Sequence, residues 1–267
     1  MSYSIRDSGD PTDLPLFESL RGNSAHLAEG YFIAESPKIV ETVLESKLKV
    51  RAAMLTQNLF ERFEKKLEAH DWEIQVTILS KEMIEKVVGY PLHQGAMLAV
   101  SIPESPSIET LLARTKSPRT IVALDSIADA ENMGGIIRTC AAFGVTALIV
   151  DDQCCHPFLR RSVRVSMGTI VELPIIRANG LLPALIQLKA SGFRIIGASL
   201  GEKSKPIDRK FLQGNIVMVF GAEGHGMRAE IAEACDEWLQ IPISSSVDSL
   251  NVGVACGIFL HERAQSI

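Results

Sequence analysis

The 267-residue chain predicts an α/β protein: a mostly parallel sheet covered by helices on both faces, preceded by a smaller α/β unit. Three observations carry that reading. Short apolar segments rich in Val, Ile and Leu alternate with amphipathic stretches along most of the chain. The alternation breaks at Ile102-Pro-Glu-Ser-Pro-Ser107, where two prolines exclude a helix or a central strand. A composition of 46% hydrophobic and 22% charged residues belongs to a folded chain long enough to bury a core, and excludes a disordered one.

The first unit, residues 1–102, opens with about 30 residues of irregular or helical leader. Tyr31 to Ala34 reads as a strand, and Pro37 to Ser46 as a helix with proline in its first turn. Arg51 to Thr56 is a strand. Leu59 to His70 is a charged helix whose Leu59, Phe63 and Leu67 share one face. Glu73 to Leu79 alternates like a strand, Ser80 caps a helix that ends near Gly89, and Ala96 to Ser101 is a further strand. Residues 103–117 read as a linker. In the second unit, 118–267, strands are expected at Thr120–Leu124, Thr146–Val150, Phe193–Ala198 and Asn215–Phe220. Helices are expected at Asn132–Phe143, Pro157–Val165, Leu181–Ala190, Met227–Ala234 and Ser249–Arg263. In such sheets ligands sit beyond the carboxyl ends of strands, so the loops after Leu124, Val150, Ala198 and Phe220 are the places to search.

The longest apolar run, Val252 to Leu260, is under half of the roughly 20 residues of a membrane span. The polar, acidic start, Met1 to Asp13, reads as no secretory signal. Five cysteines without a C-x-x-C pair then suggest reduced thiols in a cytoplasm. The net charge of −5 is uneven: residues 1–110 hold 11 Lys/Arg and 17 Asp/Glu, and the remainder holds 16 and 15. The total argues mildly against nucleic acid, yet the second half is slightly basic.

Four stretches could carry chemistry. In Asn132-Met-Gly-Gly-Ile-Ile-Arg138, Asn132 is placed to cap a helix whose bare first turn and Arg138 suit a phosphate; a capped helix with a surface arginine fits equally. Phe220-Gly-Ala-Glu-Gly-His-Gly-Met227 follows an apolar strand and matches neither the P-loop nor G-x-G-x-x-G. Its glycines mean a sharp turn or a close ligand, with Glu223 exposed among them. In Ile241 to Ala255 a serine loop precedes a helix that Asp248 or Ser249 can cap, and Gly253 and Gly257 form a stripe for close packing. Pro157 to Arg177 holds four arginines and one glutamate; Arg160 and Arg164 lie one helical turn apart, facing a phosphate backbone or simply water. Cys154-Cys155-His156 lacks zinc spacing, Cys140 and Cys256 read as core residues, and His93-Gln94-Gly95 reads as a turn.

Taken in order, Asn132 to Arg138, Gly221-Ala-Glu-Gly-x-Gly226 and Ile241-Pro…Ser249-Leu-Asn-Val252 resemble the three motifs of the SpoU (TrmH-like) RNA 2′-O-ribose methyltransferases of the SPOUT superfamily. The resemblance covers residues 118–262, with Arg164-Val-Ser-Met-Gly168 between the first two motifs. Upstream, Tyr31-Phe-Ile-Ala-Glu-Ser-Pro-Lys-Ile-Val and His93-Gln-Gly-Ala resemble a small RNA-binding domain of ribosomal-protein-like fold. The SpoU resemblance implies a deep trefoil knot, a homodimer, S-adenosylmethionine as cofactor and an rRNA or tRNA substrate; the missing zinc spacing already reads as no metal. Cofactor contacts would fall on Ser199, Leu200, Gly221, Ala222, Glu223, Gly226, Ile241, Ile243 and Leu250. Arg138 matches the catalytic arginine; Asn132, Glu223, Ser249 and Asn251 match residues that organise the site; Arg160, Arg161 and Arg164 would bind RNA. The chain departs from the pattern at Ile243, Ser245 and Gly253, where Met, Gly and Ser are usual. The competing expectation is a non-catalytic RNA-binding or ribosome-assembly protein that kept the fold.

Overall fold

The computed structural model describes residues 3–6, 14–18, 20, 24–92, 94–201 and 203–266. Its contacts divide the chain into two compact units: residues 1–103 with 158–171, and residues 104–157 with 172–267.

The first unit runs β1 (Tyr3–Arg6), α1 (Ala25–Ala28), β2 (Tyr31–Glu35), α2 (Pro37–Leu44), β3 (Val50–Leu55), α3 (Gln57–Glu68), β4 (Ile74–Ile78), α4 (Lys81–Val88) and β5 (Ala96–Ser101). Its sheet order is β1-β4-β3-β5-β2; β1, β4 and β3 are parallel, while β5 runs antiparallel to β3 and β2. Local chemistry sets the helix limits. Pro37 occupies the first turn of α2, and the Ser80 hydroxyl accepts the Met83 N–H at the start of α4. The leader is not wholly irregular, because Tyr3–Arg6 pairs with β4 along its length. Four residues carry too little periodicity to announce that strand. His93 lies outside the described residues.

The second unit opens with α5 (Ile108–Arg114), inside the stretch read as linker; Ser107 caps it, and Ile108 and Leu111 enter the core. There follow β6 (Thr120–Asp125), α6 (Ala130–Ala142) and β7 (Ala147–Asp151). The short helix α7 (Arg160–Val165) belongs to the first unit, where Phe158 packs on Phe32 at a ring separation of 5.0 Å. The second unit resumes with β8 (Ile175–Ala178), α8 (Leu181–Ala190), β9 (Arg194–Ala198), β10 (Lys205–Pro206), β11 (Ile216–Gly221), α9 (Ala229–Glu233), β12 (Glu237–Gln240) and α10 (Val252–Ala264). All pairings of the seven-stranded sheet are parallel, in the order β10-β12-β9-β11-β6-β7-β8. The chain fills β6, β7 and β8 in one direction and the strands beyond β11 in the other, so the order reverses between β6 and β11. β8, β10 and β12 escape the sequence pattern because they are short and, in Glu237-Trp-Leu-Gln240, half polar.

Two helix starts differ from expectation. Helix α6 begins at Ala130, and its cap is Asp129, whose carboxylate accepts the Glu131 and Asn132 N–H groups at 2.8 Å each. A carboxylate there also offsets the positive helix end. Asn132 is thereby released from capping. Helix α10 is capped by Asn251, not by Asp248 or Ser249. Helices α6 and α10 pack together, yet a Cβ on Gly257 would meet only the Thr139 methyl, at 3.7 Å, so this is ordinary side-chain packing rather than close backbone approach.

Candidate cofactor cleft and active site

The carboxyl ends of β9, β11 and β12, together with the start of α10, enclose a cleft of about 460 Å³. That volume suits a nucleoside-sized ligand. Ala198, Phe220, Leu239, Ile241, Leu250, Val252 and Phe259 give it an apolar lining, and the Gly221–Met227 loop supplies backbone along one wall. The cleft touches Ser199, Leu200, Gly221, Ala222, Glu223, Gly226, Ile241, Ile243 and Leu250, and also Ser249. Met227, at the end of the glycine loop, lines it as well, as do Trp238 and Gln240, which nothing in their local sequence marks.

The glycine loop folds back on itself. The Gly226 N–H donates to the Ala222 carbonyl at 2.8 Å, forming an antiparallel bridge between these residues. A Cβ on Gly221 would lie 2.3 Å from the Gly226 carbonyl carbon and the Met227 nitrogen, so only glycine fits. Gly226 sits at φ +69°, a left-handed conformation that costs a side chain energy.

Glu223, Asn132 and Asn251 form one hydrogen-bonded chain. Asn132 Nδ2 donates to Glu223 Oε1, and Asn251 Nδ2 donates to Asn132 Oδ1 at 2.8 Å. Asn251 Oδ1 accepts the Gly253 and Val254 N–H groups at 2.9 and 3.3 Å, so its orientation is fixed. Residues 91 and 119 positions apart meet here. Arg138 is exposed, outside the residues that line the cleft, on the same helix as Asn132. The serine loop is exposed, with Ser244 and Ser246 hydrogen-bonded to each other at 2.9 Å.

Below the loop lies an ionic cluster that sequence reasoning missed. Asp125 and Asp151, at the ends of β6 and β7, are 0% and 2% exposed. Arg228 gives its backbone N–H to Asp125 Oδ2 and its Nε to Asp125 Oδ1, both at 2.7 Å, and its Nη2 to Asp151 Oδ2 at 2.7 Å. Burial pulls the guanidinium pKa down, but these hydrogen bonds outweigh it and hold it above its ordinary value.

The arginines expected to meet RNA differ in setting. Arg160 stacks on the Tyr90 ring, 3.9 Å from its centroid, and is half-buried, with Nη1 shielded from solvent. Helix α7 is only six residues long and lays that arginine on the first unit's own surface, a contact invisible to helical spacing. Arg161 and Arg164 are exposed. The Cys154 thiol accepts the Ile127 N–H at 3.2 Å and donates to the Leu124 carbonyl at 3.4 Å; burial pushes its pKa up to about 12. It is a structural thiol.

Comparison with known proteins agrees with this geometry. The model of the SpoU rRNA Methylase family matches residues 119–261. The 23S rRNA (guanosine-2′-O-)-methyltransferase RlmB of Acinetobacter baylyi is 34% identical over 77% of this chain and 84% of its own. The RlmB protein of Pseudomonas putida is 36% identical over 65% of this chain and 71% of its own. The AdoMet-bound rRNA methyltransferase of Sinorhizobium meliloti superposes with a TM-score of 0.82 at 25% identity, covering 99% of this chain and 98% of that one. With the glycine loop, the asparagine relay and the cleft all inside the matched segment, the chain belongs to the SpoU rRNA methylase family.

Proposed function

We propose that this protein transfers a methyl group from S-adenosylmethionine to a ribose 2′-hydroxyl of rRNA or tRNA, with the cleft as cofactor site and the relay as its substrate-facing edge. The observation that carries it is the chain Glu223–Asn132–Asn251, which links a residue of the cleft to the helix that bears Arg138. The apolar walls and the bare Gly221 backbone fit an adenosine moiety and a thioether better than they fit a phosphate-rich ligand. Bound there, S-adenosylmethionine supplies an electrophilic methyl group on a cationic sulfur.

The chain's own residues orient and stabilise. The glycine loop and Ile241, Ile243 and Leu250 hold the cofactor; Ser199 and Leu200 close its other side. Asn132 and Asn251, locked to each other, present amide groups to the ribose, with Ser249 two residues before Asn251. Arg138 pairs with the phosphate next to the target and stabilises the charge that grows on the 2′-oxygen as its proton leaves. A guanidinium is a poor base, so that proton goes to another acceptor. Arg161 and Arg164 contact the RNA backbone. The first unit serves as the ribosomal-protein-like RNA-binding domain. A trefoil knot and a homodimer complete the catalytic unit, which works without metal. Free, unpaired cysteines suit the reducing cytoplasm where RNA is modified.

The test is R138A. Arg138 is exposed and outside the cleft lining, so the variant folds normally, binds S-adenosylmethionine with wild-type affinity, and loses methyl transfer. The guanosine of 23S rRNA, the substrate named for the relatives, is the first site to map. Loss of cofactor affinity with an unchanged rate would reverse the roles assigned here. Wild-type chain that binds RNA but no S-adenosylmethionine would make it a non-catalytic RNA-binding protein.

A further inference from the structure

The two ends of the glycine loop meet on one residue. Gly221, where the loop leaves β11, lies in register with Asp125 on β6. Arg228, where the loop ends, returns to that same Asp125 through its backbone N–H and its Nε. Its Nη2 reaches on to Asp151, whose two oxygens also accept the Leu181 N–H at 3.0 Å and the Gln153 N–H at 2.8 Å. Between those ends, the Gly226 N–H to Ala222 carbonyl bond is a backbone tie that sets the turn without fixing it to the sheet. Asp125 lies four positions before Asp129, the cap of the helix that carries Asn132 and Arg138.

We propose that Arg228 is a positioning residue for methyl transfer: its clasp on Asp125 and Asp151 fixes the return of the Gly221–Met227 loop, and so sets both the cofactor cleft and the reach of Glu223 to Asn132. The proposal rests on the reading of the cleft as the S-adenosylmethionine site. Two buried carboxylates need a partner, and a guanidinium is planar enough to serve both at once. A lysine ammonium keeps the charge but is a single point on a flexible stem, so it satisfies one aspartate and lets the loop relax.

The experiment measures S-adenosylmethionine affinity by calorimetry and thermal midpoints on the full chain for wild type, R228K and R263K. Arg263 is the control: it is 2% exposed, in the same unit, and donates to Thr120 Oγ1 and to the carbonyls of Leu212 and Gly214. These contacts lie at the strands' amino ends, away from the cleft. The expected result is that R228K weakens cofactor binding on the order of tenfold and raises KM for the cofactor more than it lowers kcat. R263K, with a comparable fall in midpoint, binds the cofactor as wild type does. Wild-type affinity in R228K, or equal loss in both variants, overturns the proposal. If R228K is recovered unfolded, D125N decides: its amide keeps one acceptor oxygen where Asp125 uses two for the Arg228 N–H and Nε, and unchanged affinity there overturns the clasp. A wild-type chain that binds no S-adenosylmethionine would instead sink the cofactor reading itself.

Discussion

Asn251 does two jobs with two ends of one amide, and the jobs can be separated. Its Oδ1 caps α10 by accepting the Gly253 and Val254 N–H groups; its Nδ2 donates to Asn132 Oδ1, which leaves the Asn132 amide free to donate to Glu223. Substitution N251A removes both. Loss of the cap costs about 1 kcal/mol, and loss of the exposed hydrogen bond to Asn132 costs about another 0.5–1 kcal/mol. For a unit of this size each kcal/mol lowers the midpoint by about 2–4 °C, so a fall of about 3–8 °C is expected. Substitution N251D keeps the cap, because a carboxylate at a helix start accepts the same N–H groups and gains from the helix dipole. It cannot donate to Asn132. The Asn132 amide must then turn toward the introduced carboxylate, and its oxygen faces the Glu223 carboxylate. Methyl transfer should fall on the order of 100-fold, the scale of a misplaced reacting group, while the midpoint stays within about 1 °C of wild type. The assay pairs thermal unfolding with single-turnover transfer of labelled methyl groups at saturating cofactor. Full activity in N251D would refute the relay, and an unchanged midpoint in N251A would refute the cap.

The glycine loop gives a steric prediction: G221A places a methyl 2.3 Å from the backbone of Gly226 and Met227, so the loop must open. Cofactor affinity should drop by about 100-fold at a stability cost of about 1–3 kcal/mol, and wild-type binding in calorimetry would refute the packing described. His26 gives a pH prediction for the first unit. It is 5% exposed beside Tyr31, and burial, with Arg160 adding to it, lowers its pKa below 6.5. The unfolded chain therefore binds the proton first: stability is full above about pH 6.5 and falls as pH drops through it, by up to about 1 kcal/mol at pH 5.5. His70 is shifted the same way and adds to the slope. Urea midpoints from about pH 7.5 to 5.5 check this, and H26L should flatten the profile; a wild-type midpoint independent of pH would contradict it.

The fold class is legible in the amino-acid order alone, because parallel strands buried on both faces read as near-continuous apolar runs such as Ile216–Phe220, and a 3.6-residue pattern sets apart helices such as α3 at Gln57–Glu68. The glycine loop is legible too, since a run in which Gly221 tolerates no side chain cannot be disguised by other residues. Local chemistry is less decisive where several residues could do one job. Asp129 outcompetes Asn132 for the first helix cap, and Asn251 outcompetes Asp248 and Ser249 for the second, which frees Asn132 and the Asn251 amide nitrogen to meet each other. Three features come from the folded chain and from nothing shorter. Arg160 stacks on Tyr90. Glu223 joins Asn132 across 91 positions. Arg228 closes on aspartates 103 and 77 positions away. Each of these is a contact between chain-distant side chains whose value comes from shared burial or shared hydrogen bonds. Such a contact leaves no period, spacing or composition in the segments that make it, and it exists only once the fold has brought those segments together.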